Sequence, residues 1–317
     1  MAMAKRVAII GAGMAGLAAA RLLREAGAGC TIFDKSRGLG GRMATRRAGD
    51  FSFDHGSQYF TARGPRFRAV VDDWKAAGHA TSWYDHEVIV GAPGMTAPAR
   101  AMAAGLNTVM GLEVKSLSRA TQGWCIHAGE EVFEGFAAVV VAIPALQATS
   151  LIKTGGLSFP ELASARYAPC LALMLAFDTK AAFQGESMRR EKGPIAWIAR
   201  NSSKPGRPVG QETFVVHASP DWSRAYLDET PEAVLEKLAP FAFELISAPS
   251  TPIFATAHRW RYALVEQALA VPCLWDGKAG VGACGDYCLG PRVEAAFDSG
   301  EAMARAILDT WSHPNSA

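Results

Sequence analysis

The 317-residue sequence holds no C-x-x-C pair; its six cysteines, at positions 30, 125, 170, 273, 284 and 288, are scattered. That spacing argues against a zinc site or a disulfide framework and for reduced thiols in a cytoplasm. Five of the six sit beside an apolar residue or inside a strand-like run, as small buried apolar residues do. An excess of charge of one sign is missing as well. Lys+Arg number 32 and Asp+Glu 30, a formal net charge of +2 with no block of like charges, which excludes a nucleic-acid partner. No segment reaches ~18 consecutive strongly apolar residues, so no membrane span is expected. Residues 5–23 do combine a basic start with an apolar stretch, as a secretory signal would, but three regularly placed glycines interrupt it. There is no H-E-x-x-H, no Ser/His/Asp or Cys/His arrangement, no clear carboxylate pair, no metal-ligand spacing and no internal repeat. The length suits two domains and a large core.

Against these absences stands one ordered stretch. "KRVAIIGAGMAGLAAARLLREAG" reads as a short apolar strand, Val7 to Ile10, then Gly11, Gly13 and Gly16, then a helix. In this G-x-G-x-x-G turn Gly11 permits the tight turn, Gly13 lets backbone approach a pyrophosphate, and Gly16 lets the helix pack on the strand. The first N–H groups of the helix then face the phosphates. Its alanines, Ala15 and Ala18 among them, combine close packing with high helix propensity. A second strand, "CTIFD", ends on Asp34 roughly 20 residues after the glycines, where an acid accepts hydrogen bonds from an adenosine ribose.

The residues that follow separate two dinucleotides. A nicotinamide dehydrogenase needs little after that acid beyond an adenine pocket, whereas "GLGGRM" sets Gly40, Gly41 and Arg42 in a loop able to return to the pyrophosphate. Arg42 would bring a charge-assisted donor, and the glycines let backbone lie near a flat ring. Toward the C-terminus, "GVGACGDYCLGPRVEAAFDSGEAMARAIL" puts Gly285 and Asp286 after a short apolar strand and opens a helix at about Arg292. That helix start would aim N–H groups at the pyrimidine oxygen of a flavin, with Asp286 placed to take a ribityl hydroxyl. FAD rather than NAD is therefore the expected resident cofactor.

"GAGMAGLAAA", "FDKSRGLGGRM", "DHGSQYFTAR", "WIARNSSKPGR", "HASPDWSR", "AHRWRYA" and "CGDYCLGPRVEAAFDSG" together resemble the renalase family, its bacterial members in particular, within the flavin amine-oxidase-like group. The resemblance runs over nearly the whole chain. It implies an α/β protein with a Rossmann-type FAD-binding domain of the glutathione-reductase type, a substrate domain of antiparallel sheet plus helices, and a non-covalent FAD. It further implies oxidation of 1,2- and 1,6-dihydro isomers of NAD(P) to β-NAD(P)+, with hydride passing to flavin N5 and the electron pair to oxygen as hydrogen peroxide. A dihydronicotinamide dinucleotide and molecular oxygen would then be the small-molecule partners. Such chemistry needs no triad, because the cofactor reacts and the protein orients; no side chain is assigned as catalytic. Position by position, the resemblance assigns FAD to Gly11, Gly13, Ala15, Gly16, Asp34, Lys35, Gly41, Arg42 and Met43, and to the loop Gly56, Ser57 and Gln58. It adds the backbone at Val114 and the segment Gly285, Asp286, Arg292, Val293 and Glu294. "CLGPRVE" departs from the family in carrying Gly290 and Pro291 where serine and glycine are usual; Pro291 suits a first helical turn.

These anchors place a discontinuous FAD domain at 1–75, 92–146 and 266–317, and a substrate domain at 76–91 and 147–265. "VKSLSRATQGWCIHAGEEVFEG" reads as a β meander and "AAVVVAIP" as a buried strand of the parallel sheet. "ALMLAFD", "PIAWIAR", "TFVVHAS" and "FATAHRWRYA" read as an antiparallel sheet, flanked by a helix that Thr230 caps ahead of Pro231. Period-two alternation puts Thr256, His258, Trp260 and Tyr262 on one face of their strand and Arg259 and Arg261 on the other. Trp197, His217, His258 and Trp260, with Gln58 and Tyr59 beside the FAD loop, are the substrate-pocket candidates, since aromatics can sandwich a planar pyridine and exclude water. "RNSSKPGR" reads as a solvated β turn in preference to a phosphate or ribose contact at the pocket mouth, and the tail "SHPNSA" as frayed. Two further functions share this pattern: an amine oxidase or other flavin dehydrogenase, and a flavin-binding protein without catalysis.

Overall fold

The computed structural model describes residues 5–248 and 250–313, so the end of the tail, from Pro314, lies outside the described residues. The apolar strands at the two ends of the chain meet in one six-stranded sheet. Its order is Leu274–Asp276, Val281–Ala283, Ala138–Val141, Arg6–Ile10, Gly29–Asp34 and Asn107–Met110. All neighbours are parallel except the edge strand Leu274–Asp276. Both faces are covered, which is why these strands are apolar throughout rather than alternating. Val7 and Ile9 point into a core with the helices Met14–Glu25 and Val293–Ser312, while Ala8 and Ile10 point into a second core beneath the antiparallel meander Val114–Ala120, Gly123–Ala128 and Glu131–Phe136. The two helices touch closely because position 300 is glycine: a Cβ there would lie 2.1 Å from the carbonyl oxygen of Ala15.

A five-stranded antiparallel sheet forms the other half, in the order Ser187–Arg189, Ile195–Arg200, Glu212–Ala218, Arg166–Phe177 and Phe254–Gln267. The strand Arg166–Phe177 starts ahead of the run expected, and its register against Phe254–Gln267 shifts between Ala168 and Cys170, where Pro169 has no N–H to give to the ladder. Leu171, Leu173 and Leu175 pack outward against Val234 and Leu238 of the helix Pro231–Ile246, whose N-terminus Thr230 caps through Oγ1 and the N–H of Ala233 at 3.2 Å. The intervening Ala172, Met174 and Ala176 face the opposite way. Two small hairpins, Arg46–Ala48 with Phe51–Phe53 and Ala80–Ser82 with Ile89–Gly91, escape sequence reading because three residues carry no period.

One expectation is corrected near the C-terminus. Pro291 does not enter the first helical turn: Asp286–Leu289 forms a separate short helix, Gly290 takes φ +136°, and Arg292 is the N-cap of the helix that begins at Val293. Among the described residues no helix is long and apolar enough to cross a membrane, and no group of His, Cys, Asp or Glu is arranged to hold a metal ion.

Candidate active site

A cleft of ≈ 1950 Å³ is lined by the carboxyl ends of parallel strands on one side and by the antiparallel sheet on the other. Ligands bind outside such strand ends because helix N-termini and turns converge there. The N–H of Gly11 donates to Phe33 O at 2.8 Å, drawing the two strand ends together. Gly11 has φ +113°, and a Cβ on it would stand 2.4 Å from Ala142 O. Gly16 is required by packing instead: its Cβ would lie 2.0 Å from Gly11 O, and Gly16 does not reach the cleft. Gly13 is the opposite case, with no atom of the described residues within 4 Å of a Cβ built on it. It caps Met14–Glu25 without a side-chain hydrogen bond, so the first N–H groups of that helix look for partners in the cleft, which Ala15 also lines.

Asp34 accepts from the N–H of Ala12 and of Ser36, each at 2.7 Å, one to each carboxylate oxygen. A carboxylate has about four acceptor positions, so two remain for hydroxyls. Lys35, 4.0 Å from Glu113, and Val114 line the same end. The "GLGG" loop folds back as expected of it: Gly40 donates to Ala12 O at 3.0 Å, and a Cβ on Gly41 would meet Gly13 Cα at 3.6 Å. Arg42 grips Asp286 with two parallel bonds of 2.8 and 2.6 Å and donates to Ala263 O at 3.1 Å. Burial acts to lower the guanidinium pKa, yet Asp286 raises it above its ordinary value. Two residues that sequence treats separately are thus one unit. Gly56 sits directly on Arg42, since its Cβ would be 2.1 Å from Arg42 O, and the N–H of Ser57 donates there at 2.7 Å. Met43, Gly285, Arg292 and Val293 also line the cleft. Glu294 does not. It is buried and accepts from the N–H groups of Arg63 (3.1 and 3.2 Å) and Gly64 (2.5 Å), at the start of the helix Pro65–Ala76.

The sheet side is organised by register. Arg189 pairs with Trp197, Trp197 with His217, His217 with Ala172, and Ala172 with His258, one continuous row across all five strands. Four of these five line the cleft, and the small Ala172 between the histidines does not. Trp197 meets Tyr59 at 5.7 Å between ring centroids, and His258 meets Trp260 at 4.5 Å. The guanidinium groups of Arg259 and Arg261 donate to Leu227 O (2.8 Å) and Asp228 (2.7 Å), although both residues also border the cleft. The indole N–H of Trp197 is buried and has no acceptor among the described residues, a cost that a ligand oxygen would relieve. Burial, first of all, pushes His217 and His258 down to about 4 and His55 to about 3, so all three imidazoles are neutral near pH 7.

Behind this wall lies what sequence reading missed. "RNSSKPGR" is not a solvated turn. Lys204 and Arg207 are buried with Asp54 between them: Lys204 Nζ is 3.2 Å from Asp54 Oδ2, and Arg207 donates to the same oxygen. Thr45 Oγ1 and the N–H of Met95 donate to Asp54 Oδ1 at 2.8 and 3.0 Å, and Asn201 Nδ2 donates to Ser52 O at 2.9 Å. Burial opposes ionisation of Asp54, but the two cations outweigh it and hold the carboxyl well below its ordinary range. Lys204 Nζ also donates to Gln58 Oε1 at 3.1 Å, and Gln58 Nε2 donates to Asp54 O and to Gly56 O, the latter at 3.0 Å. Both amide hydrogens are used, so the His217 Nε2, 3.2 Å from His55 O, carries its own proton as donor. The signal in the sequence was faint: charged residues flanked by Pro and Gly look like a turn whether or not another segment covers them.

The donor set fits a flavin dinucleotide. Uncapped N–H groups at Met14 and Val293, an open Gly13, Asp34 with acceptor positions to spare and a guanidinium near the glycine turns match ribose, pyrophosphate and an electron-accepting ring.

Comparison with known proteins agrees with this geometry. Residues 9–74 match the model of an NAD(P)-binding Rossmann-like domain, and residues 77–308 that of the flavin containing amine oxidoreductases. Among curated proteins, protoporphyrinogen oxidase 2 of Arabidopsis thaliana is 35% identical over 69 residues, 22% of this chain and 14% of that protein. The 4,4'-diapophytoene desaturase of Staphylococcus aureus is 32% identical over 92 residues, 26% of this chain and 18% of its own. The chain therefore aligns with less than a fifth of the length of either relative. Among solved structures, a protoporphyrinogen-oxidase-like protein of Exiguobacterium sp. 255-15 superposes with a TM-score of 0.78 at 12% identity, covering 96% of this chain and 98% of that one. Cyclohexylamine oxidase from Brevibacterium oxydans IH-35A gives 0.71 at 13% identity over 98% and 100%. At such identities the likeness concerns the fold.

Proposed function

The chain belongs to the flavin containing amine oxidoreductase family, a family whose cofactor is FAD, and within it we propose an oxidase of dihydronicotinamide dinucleotides. Its substrates are the 1,2- and 1,6-dihydro isomers of NAD(P), as the renalase resemblance implies. One observation carries the reading. Of the four carboxylates that line the cleft among the described residues, Asp34, Glu113 and Asp286 belong to the dinucleotide side, and only Glu191 lies on the sheet, at an exposed turn. An ammonium substrate has no buried anion to meet there, whereas a planar uncharged ring meets Tyr59, Trp197, His217, His258 and Trp260.

FAD held in this cleft would supply the hydride acceptor, with molecular oxygen as the final acceptor of the electron pair, which together with two protons makes hydrogen peroxide. The chain's own residues hold and desolvate. Asp34 would take ribose hydroxyls, the helix start after Gly13 would take pyrophosphate, and the loop Gly56 to Gln58 would face the flavin, with Gln58 fixed from behind by Lys204. Loss of hydride from a dihydropyridine leaves a pyridinium and moves no proton, so neutral imidazoles suffice. Aromatic faces favour the positive charge as it develops.

The test is anaerobic stopped-flow absorbance of the purified flavoprotein mixed in turn with 1,6-dihydro-NAD, 1,4-dihydro-NAD and a polyamine. Rapid bleaching by the first alone supports the reading. Bleaching by the amine alone replaces it with amine oxidation, the alternative that the family and its cyclohexylamine oxidase neighbour keep in view. No bleaching by any of them would favour a flavin protein of other chemistry.

A further inference from the structure

We infer that the hairpin turn between Ser187–Arg189 and Ile195–Arg200 is a phosphate-binding element at the mouth of the cleft, made of Arg189, Arg190 and Lys192. It rests on the proposed reading in one respect only, that a nucleotide enters the cleft from the sheet side.

Three observations carry it. First, none of the ion pairs among the described residues involves Arg189, Arg190 or Lys192, and all three residues are exposed, so their charge is not neutralised by a carboxylate across the fold. Glu191 between them leaves a local excess of two positive charges. Second, Arg189 and Arg190 line the main cleft, with Glu191 between them and Lys192, so the hairpin turn borders it. Third, the register puts Arg189 at the end of the aromatic row: it pairs with Trp197, and its guanidinium lies 5.6 Å from the centre of the Trp197 ring. One strand spacing, ~4.8 Å, separates the residue that would face a pyridine ring from the first cation.

Stacking on an indole holds a guanidinium flat while its N–H edge stays available. Arg189 and Arg190 then offer the forked donors that suit phosphate oxygens, and Lys192 adds a point charge. A site on the antiparallel sheet is separate from the glycine turns that serve the cofactor's own pyrophosphate. Its ligand is a phosphate of the substrate, either the pyrophosphate bridge or a 2'-phosphate of the adenosine ribose.

The experiment uses oxidised holoenzyme and unreactive probes, read by isothermal titration: nicotinamide riboside, nicotinamide mononucleotide, NAD+, NADP+ and, as a carboxylate control, succinate. Wild type is compared with the triple variant Arg189→Gln, Arg190→Gln, Lys192→Gln, after FAD content and melting temperature are matched. The triple variant is expected to bind phosphate-bearing probes at least tenfold more weakly and the riboside equally well. A loss shared by all three nucleotides points to the bridge, and a loss confined to NADP+ points to the 2'-phosphate; either supports the element. Unchanged affinity for every phosphate probe, equal loss for the riboside, or succinate binding as well as the mononucleotide would overturn it. Phosphate-dependent binding through the hairpin, with no bleaching by 1,6-dihydro-NAD, would instead defeat the proposed reaction and leave the element standing.

Discussion

Lys204 Nζ stands 3.1 Å from Gln58 Oε1 and 3.2 Å from Asp54 Oδ2, so a fully buried ammonium joins the cleft wall to a fully buried carboxylate. Arg207 lies on the same carboxylate, which makes two cations against one anion away from water. The count predicts an order of costs. Asp54→Asn strands both cations and is expected to lose ~3–5 kcal/mol. Lys204→Met leaves a balanced Asp54–Arg207 pair and should cost the least of the three single changes. Arg207→Met also uncovers Gly91 O and Pro205 O, and should fall between. Urea unfolding of the three variants decides, and a Lys204→Met protein less stable than Asp54→Asn would reject the charge count.

Gly13 and Gly300 separate binding from folding. Gly13→Ala introduces a methyl that touches no atom of the described residues at an ordinary φ of −79°, so the apoprotein should melt as wild type while its affinity for FAD collapses. Gly300→Ala drives a methyl to 2.1 Å from backbone at Ala15, which must part the two helices. A destabilisation of ~1–3 kcal/mol or more is expected. FAD titration of each apoprotein alongside thermal melting is the check, and wild-type FAD affinity in Gly13→Ala would remove that turn from the binding site.

The Arg42–Asp286 fork offers a third measurement. Arg42→Lys keeps the charge and loses the second parallel bond to Asp286. FAD affinity is expected to drop ~tenfold, about what one charge-assisted bond contributes. Equal fluorescence titration curves for the two apoproteins would mean that the fork does not shape the cofactor site.

Stability should depend on pH through the neutral imidazoles. His217 and His258 titrate at about 4 in the folded protein because burial disfavours their charge, against 6.5 unexcluded from water. Between pH 6.5 and 4 the unfolded chain therefore takes up protons that the folded chain refuses. Stability rises with pH through that window and is level above it with respect to these groups, each pH unit being worth ~1.4 kcal/mol per group. The melting temperature should fall as pH drops from 6.5 to 4, and His217→Gln should flatten the fall. An identical slope in that variant would mean that His217 is protonated in the folded state.

The glycine turn, Asp34 and the returning "GLGG" loop were legible because each demand is local. A tight turn, an open approach and a strand end are all requirements on a few consecutive residues, and glycine is the residue type that permits φ +113° at Gly11 and leaves no side chain at Gly13. The alternation along Phe254–Gln267 was legible for the same reason, since a strand has a period of two wherever it lies.

What tertiary structure alone decided is which distant residues share a surface. No sequence rule brings Arg189, Trp197, His217 and His258 into one row, because register between strands is set by the packing of whole faces and shifts at bulges such as that at Pro169. Nor does "SKPGR" announce that Asp54, some 150 residues earlier, will bury it. The chain by itself determined the cofactor fold, through local conformation and apolar period. The arrangement of charge around the ring is a long-range property, and only closure of the two sheets over the cleft fixed it.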